Sequence, residues 1–285
     1  MPSRVRFGPA GNPIGAKDAL DALRILAEED LHAMEVQFVR NIWMKENVAM
    51  EYRRFSREHD VLFSTHAPYY INLASAEEEK RRASIQRIAR SAERTYLMGG
   101  YITVVHAAYY GGRDPNEVTR MVADGVSRAK ELMDNMGVKG VLIGLEVMGK
   151  LSQWGTPEEI GKVMEEVDGV APVMDWAHWH ARTMGGLRTR KDFEAVMEKL
   201  LSLWDGRHHY HFSCIEWGKG GEKKHRTLGN CWDPDGSMGG PEFRILAELL
   251  ADLDLEVTII SESPLLDRDA LLMKRIYEEI TKGRA

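Results

Sequence analysis

Eight short apolar or β-branched runs recur along the chain, each followed by a longer amphipathic stretch. They are RVRFG at 4–8, AMEVQFV at 33–39, VLFSTH at 61–66, YITVVHA at 101–107, GVLIGLE at 140–146, APVMDWA at 171–177, HHYHFSC at 208–214 and LEVTIISE at 255–262. Strand-like runs separated by helical periodicity read as parallel βα units, because parallel neighbours need a crossover and a helix supplies it. Eight is the number of units that closes such a sheet, so the expected fold is α/β, a single (β/α)8 TIM barrel with residues 1–285 as one domain.

The amphipathic stretches predict helices over 16–28, 45–59, 76–98, 115–136, 157–166, 191–204, 241–250 and 267–282. Ser75 ahead of one helix, and Thr156 with Pro157 ahead of another, are start signals: a hydroxyl can accept from unpaired N–H groups, and proline suits the first helical position. The charged stretch Glu77–Arg82 reads as a solvated helix face.

Hydrophobic residues make up 44% of the 285, enough for a sizeable core. No apolar run reaches the roughly 18 residues of a membrane span, and MPSRVRFGPAGNP lacks the apolar segment of a secretion signal, so a cytoplasmic protein that does not enter membranes is expected. Two cysteines, Cys214 and Cys231, do not make a disulfide framework and read as reduced thiols. A net charge of −6 gives no overall attraction to a polyanion, so any nucleic-acid substrate would be held by local cations.

A barrel of this type carries its chemistry at the C-terminal ends of its strands. Those ends bring His66, His106, Glu146, Asp175 with His178, His211, and Glu262. So many acids at one mouth would repel each other or take up protons unless cations lay between them. Imidazole and carboxylate ligands suit zinc, manganese or iron, and the number of histidines favours zinc.

These residues sit in motifs that resemble the endonuclease IV family of metal-dependent apurinic/apyrimidinic endonucleases, over about residues 5–264. THAPYYINLAS (65–75) is similar to that family's His-Ala-Pro-Tyr motif and VVHAAYYGG (104–112) to its His-Pro-Gly motif. GLEVMGK (144–150), VMDWAHWHA (173–181), HFS (211–213) and SESP (261–264) resemble its glutamate, Asp-x-x-His, histidine and final glutamate motifs. The resemblance implies one metal on His66, His106 and Glu146, and a second on Glu146, Asp175, His211 and Glu262, with Glu146 bridging. It also implies a third metal on His178 and an Asp-x-His pair, which falls here on Lys223, Lys224 and His225. Lysine at 223 cannot donate a lone pair when protonated, so that site is expected to be weakened unless Glu222, Asp233 or Asp235 substitutes. Alternatively, the Lys223 ammonium replaces part of the missing positive charge beside a substrate phosphate. Ala107 and Ala108 stand where the family has Pro-Gly, and Trp176, Trp179 and His180 crowd the Asp-x-x-His motif, which would narrow the pocket.

The function this resemblance implies is hydrolysis of DNA 5′ to abasic sites in base excision repair, with two or three Zn2+ ions, or Mn2+, and a monomer acting on double-stranded DNA. Glu262, with Glu146, would serve catalysis, orienting the attacking water, while His178 and His225 lie near the phosphate. Tyr69 and Tyr70 are the candidate wedge at the missing base, or else rim aromatics; Arg40 is a candidate groove contact. Arg188, Arg190 and Lys191 read as solvated helix-start charges.

A rival reading is a xylose-isomerase-like sugar isomerase or epimerase using Glu146, Asp175, His211 and Glu262, with Trp176, Trp179, Trp217 and Trp232 to stack on sugar faces. His66 and His106 have no task there. A barrel that binds metal or DNA without turnover is a third possibility.

Overall fold

The computed structural model describes residues 4–232, 239–253 and 255–283. In chain order the elements are β1 (Val5–Pro9), α1 (Ala19–Glu28), β2 (Ala33–Gln37), α2 (Glu46–His59), β3 (Leu62–His66), α3 (Glu78–Leu97), β4 (Ile102–Val105), β5 (Ala108–Tyr109), α4 (Pro115–Asn135), β6 (Leu142–Glu146), β7 (Gln153–Trp154) and α5 (Pro157–Glu166). They continue with β8 (Val170–Asp175), α6 (Trp176–Arg182), α7 (Arg190–Leu203), β9 (His208–Phe212), β10 (Cys214–Gly218), β11 (Gly221–Arg226), α8 (Phe243–Asp252), β12 (Val257–Ser261) and α9 (Leu266–Lys282).

All eight expected strands are present in one sheet of order β1-β12-β9-β8-β6-β4-β3-β2, and the registered pairs within it are parallel. With a helix after each strand, this is the (β/α)8 TIM-barrel fold. By contacts the chain divides into two compact units: a terminal one of residues up to 34, 149–151 and from 174 on, and a central one of 35–148 and 152–173.

The strands are buried on both faces, as parallel strands under helices must be; β1, β4, β8, β9 and β12 bury every residue. In the terminal unit Trp176 is fully enclosed, stacked on Phe193 at 5.2 Å and edge-on to Tyr210 at 5.5 Å. In the central unit Tyr52 and Phe63 pack at 4.8 Å beneath α2.

Thr156 begins α5 as expected: its side chain accepts from Glu159 N, the Glu159 carboxylate accepts from Thr156 N, and Pro157 occupies the first turn. Ser75 does not cap α3. That helix starts at Glu78, and the Ser75 hydroxyl instead accepts the Glu77 N–H at 3.3 Å in the preceding turn. The run APVMDWA is strand only to Asp175, because the Asp175 carboxylate accepts the His178 N–H at 2.7 Å and turns the chain into α6. The β10–β11 hairpin and the short β5–β7 ladder are further elements the alternation of runs did not announce.

Glu77–Arg82 is solvated, with Lys80 paired to Glu77 and Arg82 to Glu78. Both cysteines are free, buried thiols. Among the described residues no helix is long and apolar enough to cross a membrane.

Candidate metal centre

The central unit assembles the first ligand set from three strand ends. His66 closes β3, His106 follows β4 and Glu146 closes β6. His66 Nε2 lies 3.2 Å and His106 Nε2 2.8 Å from the same oxygen, Glu146 Oε2, and the two rings meet edge to face at 4.7 Å. Donor atoms of the three residues lie within 4.8 Å of one another.

The tautomer of His66 can be read from its other nitrogen. Nδ1 lies 2.9 Å from the Ala67 carbonyl, which can only accept, so Nδ1 carries the proton. A neutral His66 therefore turns the Nε2 lone pair toward a carboxylate oxygen. Two electron-rich atoms face each other, and a proton or a cation must lie between them. Tyr69 lies over the pair, its ring 5.3 Å from His66 and 5.4 Å from His106, while 43% exposed. Tyr70 is exposed beside it, and Arg40 is exposed on the turn after β2.

The terminal unit assembles a second set. Asp175 at the end of β8 faces His178 Nδ1 at 3.5 Å and His211 Nδ1 at 4.0 Å through Oδ2. Glu262, just past β12, reaches His211 Nδ1 at 3.3 Å with Oε1 and His225 Nε2 at 3.4 Å with Oε2. Donor atoms of Asp175, His178, His225 and Glu262 also fall within 4.8 Å of one another. Here Ser213 sets the tautomer: its hydroxyl donates to the Cys214 carbonyl at 2.8 Å, so its oxygen accepts Nδ1–H of His225 at 2.7 Å. The Nε2 lone pair of His225 then faces Glu262.

Both sets are imidazole and carboxylate donors with no sulfur, largely buried, and they fit a divalent ion of the zinc or manganese type. All eight residues named from the sequence as metal ligands belong to one or the other set. Lys223 does not: it is exposed on the hairpin, its side chain lying over Gly218. Asp233 and Asp235 lie outside the described residues.

Crowding of the Asp-x-x-His motif takes a different form from the one expected. Trp176 is in the core and narrows no open pocket, whereas His180, buried with Nδ1 accepting the Leu187 N–H at 3.2 Å, lines a cavity together with Leu187, Cys214 and Cys231. Trp217 packs against Ala177, Ala181 and Ile215. Of the four tryptophans offered as sugar platforms, Trp232 is the well-exposed one, at 56%.

Two groups escaped the sequence reading. Ser213 lies two residues after His211 in the HFS motif, a residue type that is not itself a usual metal ligand. Glu35, on β2, is fully buried and accepts from the Ser64 hydroxyl and the Gln37 amide, both at 3.0 Å. Its place in the middle of an apolar run was the available signal, since a buried carboxylate needs partners.

This strand-end chemistry on a parallel barrel defines a class, and the chain belongs to the xylose isomerase-like TIM barrel family, whose model matches residues 23–270. An uncharacterized protein of Methanocaldococcus jannaschii is 33% identical over 96% of this chain and 97% of its own length. A probable endonuclease 4 of Bifidobacterium longum is 26% identical over 74% of this chain and 75% of its own. A D-tagatose 3-epimerase-like protein superposes with a TM-score of 0.73 at 20% identity, covering 97% of this chain and 99% of that one, a likeness of fold.

Proposed function

We propose that this protein is a metal-dependent phosphodiesterase that cuts double-stranded DNA on the 5′ side of abasic sites, with zinc, or manganese, as its ion. The observation that carries the reading is the His66–His106–Glu146 set, with both Nε2 atoms aimed at one carboxylate oxygen. A sugar isomerase or epimerase needs the carboxylates and His211 and leaves these two imidazoles without work. The relative named as a probable endonuclease 4 supports the same side.

When bound, divalent ions supply Lewis acidity to a phosphodiester and neutralise charge on the departing alkoxide. His66, His106 and Glu146 would hold one ion; Asp175, His211 and Glu262, with His178 and His225 beside them, would hold the others. Glu262 is assigned the attacking water, taking its proton at a carboxylate oxygen. Its side chain keeps 13% exposure, whereas Glu146 and Asp175 keep none. Tyr69, over the histidine pair yet open to solvent, is positioned to stack on what the missing base leaves behind, with Tyr70 beside it. Arg40 and Lys223 supply local positive charge for the backbone on a chain of net charge −6.

The deciding assay incubates metal-loaded protein with an abasic-site duplex and, separately, with ketose and aldose sugars. Incision 5′ to the lesion without sugar conversion is expected. Sugar conversion with the duplex intact would replace this reading by the isomerase one, and binding of the duplex without incision would leave a non-catalytic barrel.

A further inference from the structure

A recess in the central unit lies at the other end of the strands that carry the first ligand set. His66, His106 and Glu146 stand where β3, β4 and β6 finish. The recess, of about 270 Å3, lies where those strands begin, between the last turns of α2 and α3 and the loop that leads into β6. Barrels of this kind do not carry their chemistry at that end. Its charge has one sign: among the described residues Arg53, Arg57 and Lys139 line it and no carboxylate does.

Arg53, Ser56 and Arg57 are spaced i, i+3 and i+4, so they share one face of α2. Two like charges four residues apart destabilise a helix unless something of opposite sign lies between them. Elsewhere the chain answers such arginines with acids: Arg54, next along the same helix, pairs with Glu51 at 2.7 Å, and Arg128 on α4 pairs with Asp124 at 3.1 Å. Among the described residues Arg57 and Lys139 have no such partner, and both are exposed.

Arg53 is held in place. Its Nε donates to the Leu97 carbonyl at 2.9 Å and its Nη2 to the Tyr96 carbonyl, and the guanidinium lies 5.3 Å over the Tyr96 ring. These bonds neutralise the carbonyl end of α3, which would otherwise oppose an anion, and they leave the Nη1 hydrogens for a ligand. Gly99 keeps the space clear: at φ +75° it turns the chain after α3, and a Cβ there would stand 3.5 Å from Arg53 Cγ. Ser56 and Tyr96, which also line the recess, carry hydroxyls that can donate.

We propose that this recess binds a phosphate group, as the free anion or on a small monoester, with Arg53, Arg57 and Lys139 as its cations. A tetrahedral dianion among three cations relieves their mutual repulsion and takes charge-assisted hydrogen bonds from two guanidinium groups and an ammonium. The site uses no metal ion, so it stands or falls apart from the function proposed above.

Isothermal titration calorimetry of inorganic phosphate, and separately of glycerol 3-phosphate, into the full chain tests this, as purified and after chelation. Chelation removes phosphate binding at the metal centre and should leave one equivalent bound. Arg57→Gln and Lys139→Gln should each weaken that equivalent at least about 10-fold, the cost of a lost charge-assisted hydrogen bond, and Arg128→Gln should leave it unchanged. Circular dichroism confirms folding of each variant. Tighter binding of glycerol 3-phosphate assigns the site to a monoester and tighter binding of inorganic phosphate to the free anion; either order supports the proposal. No binding by the chelated wild type, or equal affinity in wild type and the Arg57→Gln, Lys139→Gln double variant, would overturn it and leave a solvated basic patch. Equal weakening by Arg128→Gln would overturn it too, since overall charge alone would then be at work.

Discussion

Ser213 holds His225 in one tautomer: the serine hydroxyl is committed to the Cys214 carbonyl, so its oxygen accepts the imidazole Nδ1–H at 2.7 Å. A hydroxyl outside the ligand sets thereby decides which histidine nitrogen offers its lone pair to an ion. Ser213→Ala should weaken the ion at His225 by about 10- to 100-fold, the usual cost of removing an outer hydrogen bond from a ligating histidine. Metal titration followed by calorimetry checks it; unchanged affinity would show that the ring is oriented by packing alone.

Replacing either His66 or His106 by alanine should cost the abasic-site incision rate about 100-fold or more, since each removes a donor aimed at Glu146. Sugar conversion, if the protein had any, should survive both changes. Steady-state rates on the two substrate classes separate the outcomes.

Chelation should abolish incision and lower the melting temperature, because an ion that binds only the folded chain stabilises it by mass action. Calorimetry with and without added zinc is the measurement. An identical melting temperature in both conditions would argue against preformed ligand sets.

Two groups give the stability a pH dependence of opposite sign. Burial, reinforced by the neighbouring Asp267 carboxylate, raises the Glu29 carboxyl from 4.5 to about 7, so the folded chain holds a proton the unfolded chain has released. That contribution is complete below pH 4.5 and is lost as pH rises toward 7. Burial lowers His208 from 6.5 to about 4, so its contribution is complete above pH 6.5 and is lost as pH falls toward 4. Urea midpoints across this range should show both slopes, with Glu29→Gln flattening the first and His208→Phe the second.

Thr156→Ala should destabilise the fold by about 1 kcal/mol through loss of the α5 capping box, and Trp176→Ala by about 3–5 kcal/mol through the cavity left against Phe193 and Tyr210. Denaturant unfolding compares them. A near-neutral Trp176→Ala would mean that this ring is not a core residue.

The barrel was legible in the sequence because parallel strands are buried on both faces and therefore read as mainly apolar runs, with buried polar residues such as Arg6, Glu35 and the histidines of HHYHF standing out within them. Given the barrel, strand ends became addresses, and His66, Glu146, Asp175 and Glu262 could be named from position alone. The β10–β11 hairpin was not legible, because GKGGEKKHR is too polar to resemble a strand, and its pairing comes from a glycine turn and the loop at Gly149. The bulge at Lys223, where Trp217 pairs with Glu222 although Glu216 pairs with Lys224, was hidden for a related reason. Register belongs to two strands at once, so reading one strand placed a lysine where the other strand brings Glu222 inward. The start of α6 was obscured because DWAHW continues the apolar character of β8, although the aspartate was a cap signal in plain view.

That aspartate also acts as a ruler. By ending a strand and opening a helix with one side chain, Asp175 ties the spacing to His178 to a single turn of α6. Inserting one residue between them would swing the imidazole about 100° around the helix axis, so the length of this corner is as tightly constrained as its chemistry. Tolerance of insertions should therefore fall away sharply within these four residues.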